Sequence, residues 1–213
     1  MRIFAVSPFK SATRKEILDF LAKLPQGLIV LPGHCGNTPS PRQVQRVIAS
    51  GAMAFVEGPG RNVAYPKHKK NRPGYIVRKR SVTRMPAQIF KASPTAKEMD
   101  KLEAILPQRT VAVGKRKASF IICGEILAFN PDGSTKHRRR VDFDILINPA
   151  HTPMGRWGQL GKKLERLSRR SVVVHVANNN RNHHLKTDVR IYKYGKLMKR
   201  NCGKNVAWSE CRI

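Results

Sequence analysis

The sequence predicts an α/β protein with a layered sheet, and its element pattern, its composition and its length all favour this fold class. Segments rich in Val, Ile and Leu, of strand length, alternate with segments whose apolar residues recur at helical spacing. The chain of 213 residues is 40% hydrophobic and 26% charged, which is typical of a globular protein rather than a disordered one. Its length favours one domain over residues 1–213, because a domain commonly takes about 100–200 residues.

Strand and helix patterns follow one another along most of the chain. The opening segment alternates apolar residues at a strand period, and Ser11 and Thr13 offer N-caps for the helix that follows. The apolar run LIVLPG, introduced by Gly27, is of the kind buried on both faces within a sheet. Between residues 57 and 92, glycine, proline and basic residues leave only short hairpin strands. The further predicted strands lie within 52–56, 110–127, 143–150, 171–179 and 188–213, and the further helices at 41–50, 97–106 and 157–168.

The charge balance is the unusual property of the chain. Lys and Arg number 42 against 13 Asp and Glu, which gives a formal net charge of +29 and a pI near 11.0. Such an excess attracts nucleic acids and other polyanions by counterion release, whatever the fold. Only Tyr65 and Tyr75 flank the basic clusters, so phosphate contact is favoured over base stacking. The clusters lie at residues 67–72, 78–80, 136–140 and 169–170.

Membrane proteins and metal or disulfide scaffolds are not indicated by the sequence. No apolar run approaches the roughly 18 residues that span a bilayer, and no signal-peptide pattern opens the chain, so a cytoplasmic location is expected. The four cysteines lack CxxC spacing, and His183 and His184 are adjacent rather than four residues apart. We therefore expect free thiols, no metal and no cofactor.

Cys123 carries the chemical hypothesis. The second of two strands predicted over residues 110–127 runs directly into it, and a sheet delivers side chains to loop-built sites in this way. A thiol followed by Gly124 suits a nucleophile whose neighbouring N–H groups stabilise an oxyanion. A lone cysteine in a strand is also often a buried small hydrophobe, so this residue alone leaves both interpretations open.

The arrangement of segments around Cys123 resembles the nitrilase (carbon-nitrogen hydrolase) superfamily. LIVLPG resembles the family's strand that ends in Pro-Glu, QIFKAS carries Lys91 at the place of its lysine, and IICGEI resembles its nucleophile strand. FDILINPA resembles the next strand, which ends in Asn-Pro. WGQLGKKLERLSRRSVVVHVANN resembles the following helix and strand, and YKYGKLM resembles the closing hairpin. These segments occur in the family's order over nearly the whole chain.

The resemblance implies a four-layer αββα sandwich and a Glu-Lys-Cys triad that acts on nonpeptide C–N bonds of amides, nitriles or carbamoyl compounds. Cys123 is then the nucleophile that forms a thioester, and Lys91 is the ammonium that stabilises the thiolate and the tetrahedral intermediate. Glu125 is a further candidate catalytic residue. The resemblance also implies a homodimer and a small-molecule amide or nitrile as substrate. The candidate substrate-binding residues, at the ends of predicted strands, are Asn148, His151 and Asn178.

The sequence departs from the family at the first member of the triad. Where the family has glutamate after the strand LIVLP, this chain has Gly33, which cannot act as a general base. Three residues are candidates to replace the glutamate. They are His34, whose imidazole titrates near neutral pH, Glu125, which is two residues after Cys123 and is expected to share its strand face, and Glu57.

Three functional hypotheses follow from these observations. The first is a divergent nitrilase-like hydrolase that uses Cys123 and Lys91. The second is a noncatalytic nitrilase-like domain that has lost its glutamate and binds nucleic acid or another polyanion through basic loops. The third is an unrelated basic nucleic-acid protein, in which the sheet order would separate Lys91 from Cys123.

Overall fold

The computed structural model describes residues 1–34, 36–58, 73–91, 93–130, 132, 134–136, 141–151, 157–177 and 188–213. Several residues singled out by the sequence lie outside these ranges. They are Asn178, His183, His184, the basic cluster at 67–72 and residues 137–140 of a second basic cluster.

The described residues form thirteen strands, four α-helices and three short 3-10 helices. The strands are β1 (Arg2–Pro8), β2 (Leu28–Val30), β3 (Met53–Glu57), β4 (Gly74–Arg78), β5 (Ser81–Arg84), β6 (Thr110–Val113), β7 (Arg116–Phe120), β8 (Ile145–Ala150), β9 (Val172–Ala177), β10 (Asp188–Lys193), β11 (Lys196–Leu197), β12 (Arg200–Cys202) and β13 (Val206–Arg212). The α-helices are α1 (Arg14–Ala22), α2 (Pro41–Val47), α3 (Ala96–Ile105) and α4 (Trp157–Leu167). The 3-10 helices are Leu106–Arg109, Cys123–Ala128 and Ser168–Arg170.

The strands form two mixed sheets. The first has the order β12-β13-β1-β2-β3-β4-β5, and the second has the order β11-β10-β9-β8-β7-β6. Strands β1 to β3 are parallel in the first sheet, and strands β7 to β9 are parallel in the second. Ser7 Oγ, near the end of β1, donates to the Ala177 carbonyl oxygen at the end of β9, at 2.9 Å. Both parallel sets therefore finish at the same end of the molecule.

Three apolar layers hold the sheets and helices together, and they confirm the predicted α/β fold with its αββα sandwich. The first lies between the sheets, where the rings of Phe55 and Phe120 stack with their centroids 5.1 Å apart. In the second, Ile17 of α1 and Val44 of α2 pack on the outer face of the first sheet. In the third, α3 and α4 cover the second sheet with side chains that include Leu102 and Leu164.

The helices begin where the sequence supplies a capping residue. Thr13 caps α1, and its side-chain oxygen accepts a hydrogen bond from the Glu16 N–H at 3.2 Å. Ser40 and Thr95 cap α2 and α3 with the same reciprocal pattern. Among the residues that the structure describes, no helix has both the length and the apolar composition needed to cross a bilayer.

The strand that leads to the candidate nucleophile is shorter than predicted. Strand β7 ends at Phe120, and the segment Cys123–Ala128 is a 3-10 helix. Cys123 has a φ of 51°, in the left-handed region, which a continuous strand does not accommodate. Cys123 and Glu125 therefore do not share a strand face, and the expectation that they do is wrong.

Replacing Phe120 should test the layer between the sheets. The substitution Phe120→Ala removes a fully buried ring that stacks on Phe55, and it should lower the free energy of unfolding by about 3–5 kcal/mol. Leu197→Ala is the control, because 53% of Leu197 is exposed and its loss should change stability by less than about 0.5 kcal/mol. Urea denaturation followed by circular dichroism measures both, and equal losses would contradict the layer assignment.

Candidate active site

The loops after β2, β3, β7 and β8 meet at the end of the sandwich where the parallel strands finish. The Gly33 N–H, after β2, donates to the Ala150 carbonyl oxygen at the end of β8, at 2.9 Å. This bond joins a loop of the first sheet to a strand of the second. Carboxyl ends of parallel strands are where α/β proteins place their functional sites. Cys123, Glu57 and His151 all lie at this end.

Cys123 is the first residue of its 3-10 helix and has a strained backbone. Its φ of 51° costs an L-residue on the order of 1–3 kcal/mol, and such strain is concentrated at functional sites. The next residue, Gly124, lies so close to Lys91 that a Cβ at position 124 would be 2.0 Å from the Lys91 carbonyl oxygen. A side chain at Gly124 would therefore displace the main chain at Lys91. The turn presents a half-buried thiol beside that segment.

Glu57 and His151 form a hydrogen-bonded pair across the two sheets. The Glu57 side chain is fully buried, and His151 Nε2 lies 2.9 Å from its Oε1 and 2.7 Å from its Oε2. The main-chain N–H of His34 also donates to Oε2, at 2.6 Å. A carboxylate only accepts hydrogen bonds, so Nε2 of His151 carries a hydrogen atom. The carboxylate thereby fixes the orientation of the imidazole.

The His151 side chain also lies close to the Cys123 thiol, and each group shifts the pKa of the other. Burial acts to raise the pKa of Cys123, but hydrogen bonds from the His151 side chain and main chain and from the Gly124 N–H outweigh it and lower that pKa. Burial acts to lower the pKa of His151, but the hydrogen bonds and charges of Cys123 and Glu57 raise it to about 9. Both shifts act in the direction of a thiolate beside an imidazolium.

Glu125 is engaged in a buried ion pair. Its side chain and that of Arg109 are fully buried, and Arg109 Nη1 lies 2.5 Å from Glu125 Oε2. Glu125 Oε1 accepts from the Ile89 N–H at 2.6 Å, and Oε2 accepts from the Ile122 N–H at 2.7 Å. The carboxylate thus joins the segment that carries Lys91 to the turn that carries Cys123.

Asn148 lies behind the turn that begins at Cys123. Its Nδ2 donates to the carbonyl oxygens of Ile121, at 3.1 Å, and of Cys123, at 3.0 Å. Because Nδ2 is the donor, Asn148 Oδ1 is the acceptor for His175 Nδ1, at 2.8 Å. Burial lowers the pKa of His175 to about 3, with a further contribution from the charge of Arg190, so the ring is neutral at physiological pH. The pair fixes the main chain of Cys123 from within the core.

Gly33 leaves the space that the His151 ring fills. A Cβ at position 33 would lie 2.7 Å from His151 Cδ2 and 2.9 Å from the carbonyl carbon and oxygen of Ala150. All three contacts are shorter than real Cβ atoms show. A side chain at position 33 and the imidazole in its present place therefore exclude each other.

Some of the residues predicted from the sequence lie beside the Cys123 thiol, and others are exposed or buried away from it. His151, expected in the substrate pocket, contacts Cys123, and Glu57, one of three candidate bases, contacts His151. The Lys91 side chain is exposed, and its ammonium has no hydrogen bond with any residue that the structure describes. Asn148 is fully buried.

Arg109 and His175 are site residues that the sequence analysis missed. Arg109 follows α3 within a polar segment. It is one of 42 basic residues, so no pattern in the sequence distinguishes it from the others. His175 stands within the apolar strand VVVHVA. A single polar residue in such a strand is buried with its neighbours and needs a hydrogen-bond partner, and this is the signal that could have identified it.

The geometry can be compared with proteins of known structure. No protein-family model and no curated protein sequence matches the chain. Among solved structures, a glutamine-dependent NAD(+) synthetase from Cytophaga hutchinsonii is similar at 14% identity and a TM-score of 0.65. The match covers 99% of this chain but only 42% of the synthetase, so this chain spans less than half of that protein's length.

Two similar structures are matched over most of their length. The amidase from Nesterenkonia sp. AN1, as a mutant in complex with butyramide, is 14% identical at a TM-score of 0.59, over 99% of this chain and 90% of the amidase. A CN-hydrolase superfamily protein from Xanthomonas campestris, with an arsenic adduct in its active site, is 13% identical at a TM-score of 0.60, over 100% and 90%. The chain has the nitrilase-superfamily fold. At these identities the comparison establishes the nitrilase fold alone.

A substitution at Gly33 should test whether the space left in this nitrilase fold holds His151 in place. Gly33→Ala should push the imidazole away from Cys123 and slow iodoacetamide alkylation of the thiol at neutral pH by about tenfold, since misplacement of about 1 Å at a reacting group is costly.

Gly36→Ala is the matched control in the same loop, because a Cβ there meets no atom within 4 Å. It should leave the alkylation rate unchanged. Thermal unfolding of both variants verifies that they are folded, and an unchanged rate in folded Gly33→Ala would contradict the steric assignment.

The buried His175 should make the fold sensitive to acid. Its pKa of about 3 lies below the ordinary value of 6.5, so below pH 6.5 the unfolded chain binds a proton that the folded chain does not. Stability is therefore greatest above pH 6.5 and falls towards pH 3, by about 1.4 kcal/mol per pH unit from this group. Urea titrations from pH 7 to pH 4 should show a shallower decline for His175→Gln, and identical slopes would refute the assignment.

Proposed function

We propose that the chain is a cysteine-dependent hydrolase of the C–N bond in small amides. In this proposal Cys123 is the nucleophile, His151 is the general base and Glu57 orients the base. The observation that carries the proposal is the His151 side chain, which contacts both the Cys123 thiol and the buried Glu57 carboxylate. A nucleophile, a base and an orienting carboxylate in hydrogen-bond contact form the arrangement that activates a thiol for covalent catalysis.

The first half of the proposed reaction forms a thioester. With Nε2 of His151 engaged by Glu57, the other ring nitrogen takes the thiol proton. The Cys123 thiolate attacks the amide carbon, and the C–N bond breaks as the imidazolium returns the proton to the leaving nitrogen. Ammonia or an amine leaves, and the acyl group stays on sulfur.

The second half returns the enzyme to its starting state. His151 takes a proton from water, and the resulting hydroxide attacks the thioester carbon. The C–S bond breaks, a carboxylic acid leaves, and Cys123 regains its thiol proton from the imidazolium. Because Glu57 holds the imidazole through Nε2, the same nitrogen serves both halves of the cycle.

Lys91 is proposed to stabilise the tetrahedral intermediate rather than the resting thiolate. The Lys91 main chain lies against Gly124, which brings the residue next to the nucleophile. Its ammonium is exposed and makes no hydrogen bond with the described residues, so it is available to a substrate oxygen that develops negative charge. This role differs from the pairing with Cys123 that the resemblance implies.

Glu125 and Asn148 are proposed to position the nucleophile. Glu125 uses both oxygens on Arg109 and on main-chain N–H groups, which suits an anchor better than a proton carrier. Asn148 contacts the carbonyl oxygen of Cys123 rather than an open pocket. Asn178 stays a predicted substrate-binding residue.

Similar structures support a small amide as the substrate class. The Nesterenkonia amidase has been determined as a mutant with butyramide, and another of its mutants shows covalent addition of the acetamide moiety of fluoroacetamide at the active site cysteine. A thiol that is activated in the same fold supports the same chemistry here. The homodimer and the cytoplasmic location stay predictions.

The proposal is tested by the alkylation rate of Cys123 against pH, together with ammonia release from butyramide and glutamine. The thiol should react rapidly at pH 7, because its pKa is lowered, whereas Cys211, whose pKa burial raises to about 11, should stay unreactive. His151→Gln should move the pH profile of Cys123 upward and slow alkylation at pH 7 by about tenfold per pKa unit. Both amides should be hydrolysed by the wild type and not by His151→Gln.

Two further variants separate the roles of the neighbours. Glu57→Gln keeps the size of the side chain and removes its charge, so it should lower the pKa of His151 and reduce ammonia release. Lys91→Ala should reduce ammonia release and leave the alkylation profile nearly unchanged. A thiol that is unreactive at pH 7 in the wild type would exclude the hydrolase and favour the noncatalytic domain.

A further inference from the structure

A basic cavity lies at the end of the sandwich opposite Cys123. It has a volume of about 880 Å³, is open to solvent, and is lined by the turn between β4 and β5, the turn between β6 and β7, and the segments that precede β2 and β3. Strand β7 separates it from the nucleophile, and the five residues of this strand span about 16 Å. The cavity is therefore distinct from the candidate active site.

Positive charge dominates the lining of this cavity. Among the described residues that line it, five are basic and none is acidic. The basic residues are Arg2, Arg78, Lys79, Arg80 and Arg212. The turn that contributes Gly114 continues into Lys115 and Arg116, which add two cations beside the cavity.

The register of the first sheet places two of these charges directly opposite each other. Arg2 of β1 pairs with Arg212 of β13 across the antiparallel ladder. Like charges at directly opposed positions destabilise a sheet, and no carboxylate among the described lining residues neutralises this pair. An anion bound between the two guanidinium groups would remove the repulsion.

The lining also indicates which part of an anionic polymer would contact it. No aromatic side chain is found among the described lining residues, so the cavity offers no platform on which a base stacks. Guanidinium groups match phosphate oxygens in a bidentate geometry, and four of the five basic residues are arginines. A net charge of +29 extends the attraction beyond the cavity and favours a polymer over a single phosphate.

We propose that this cavity binds the phosphodiester backbone of nucleic acid, without selecting its base sequence. Successive phosphates would lie between the β4–β5 turn and the Arg2–Arg212 pair. The binding site is independent of the hydrolase site at the other end of the sheets. The chain would therefore hold a nucleic acid while Cys123 stays accessible to a small substrate.

Fluorescence anisotropy with a labelled single-stranded DNA of about 20 nucleotides tests the proposal, with the full chain and over a range of salt concentrations. The double variant Arg78→Gln, Arg80→Gln should bind about tenfold more weakly at about 100 mM salt, and its salt slope should decrease by about 1.4, as expected for the loss of two single-strand phosphate contacts.

Lys97→Gln, Lys101→Gln is the control, because it removes two exposed charges from α3, on the outer face of the second sheet. Its affinity should stay within about twofold of the wild type. An equal loss in both double variants would show that affinity comes from the overall charge and would overturn the cavity assignment.

Two further measurements, competition by inorganic phosphate and alkylation of Cys123, complete the test. Inorganic phosphate at matched ionic strength should not displace the DNA, and displacement at millimolar phosphate would replace the nucleic-acid site with a site for a single phosphate. The alkylation rate of Cys123 should be the same in both double variants and in the wild type. Failure of DNA binding with a reactive Cys123 would refute this proposal and leave the hydrolase proposal intact.

Discussion

The buried ion pair between Arg109 and Glu125 is the interaction on which the turn at Cys123 depends. Glu125 accepts hydrogen bonds from both sides of the site, and Arg109 Nε donates to the Pro86 carbonyl oxygen at 3.1 Å while Nη2 donates to that of Ala87. Neither charge is exposed, so each needs the other to offset its desolvation. The pair thereby fixes the segment before Lys91 against the helix that begins at Cys123. The left-handed conformation of the cysteine persists because its surroundings are fixed in this way.

The carboxylate in contact with the His151 imidazole lies at the end of β3 and not after β2. In the family that the sequence resembles, glutamate follows the strand that corresponds to β2, where this chain has Gly33. Here Glu57 ends β3, which pairs with β2 in parallel register. Glu57 contacts the His151 ring, and this ring in turn lies beside the Cys123 thiol. The proposed chemistry therefore replaces direct carboxylate catalysis with an imidazole that a carboxylate orients.

The sequence predicted most of the fold, because strands buried on both faces are continuous apolar runs and helices carry clear caps such as Thr13. It also named Cys123, His151 and Glu57 as separate candidates. It did not predict their contact, since that depends on how two sheets pack at their carboxyl ends. Arg109 was missed because nothing in a basic sequence distinguishes a buried arginine from many exposed ones. The 3-10 turn was missed because its apolar residues continue the pattern of β7.

The clash between a side chain at Gly33 and the His151 ring also has an evolutionary consequence. Positions 33 and 151 are sterically linked although they lie on different sheets, and the main-chain bond from Gly33 to Ala150 keeps them adjacent. A change at either position alone would leave a clash or a base without a carboxylate partner. Position 33 should therefore stay glycine wherever histidine occupies position 151. A chain that loses this glycine would also lose the present place of the imidazole beside Cys123.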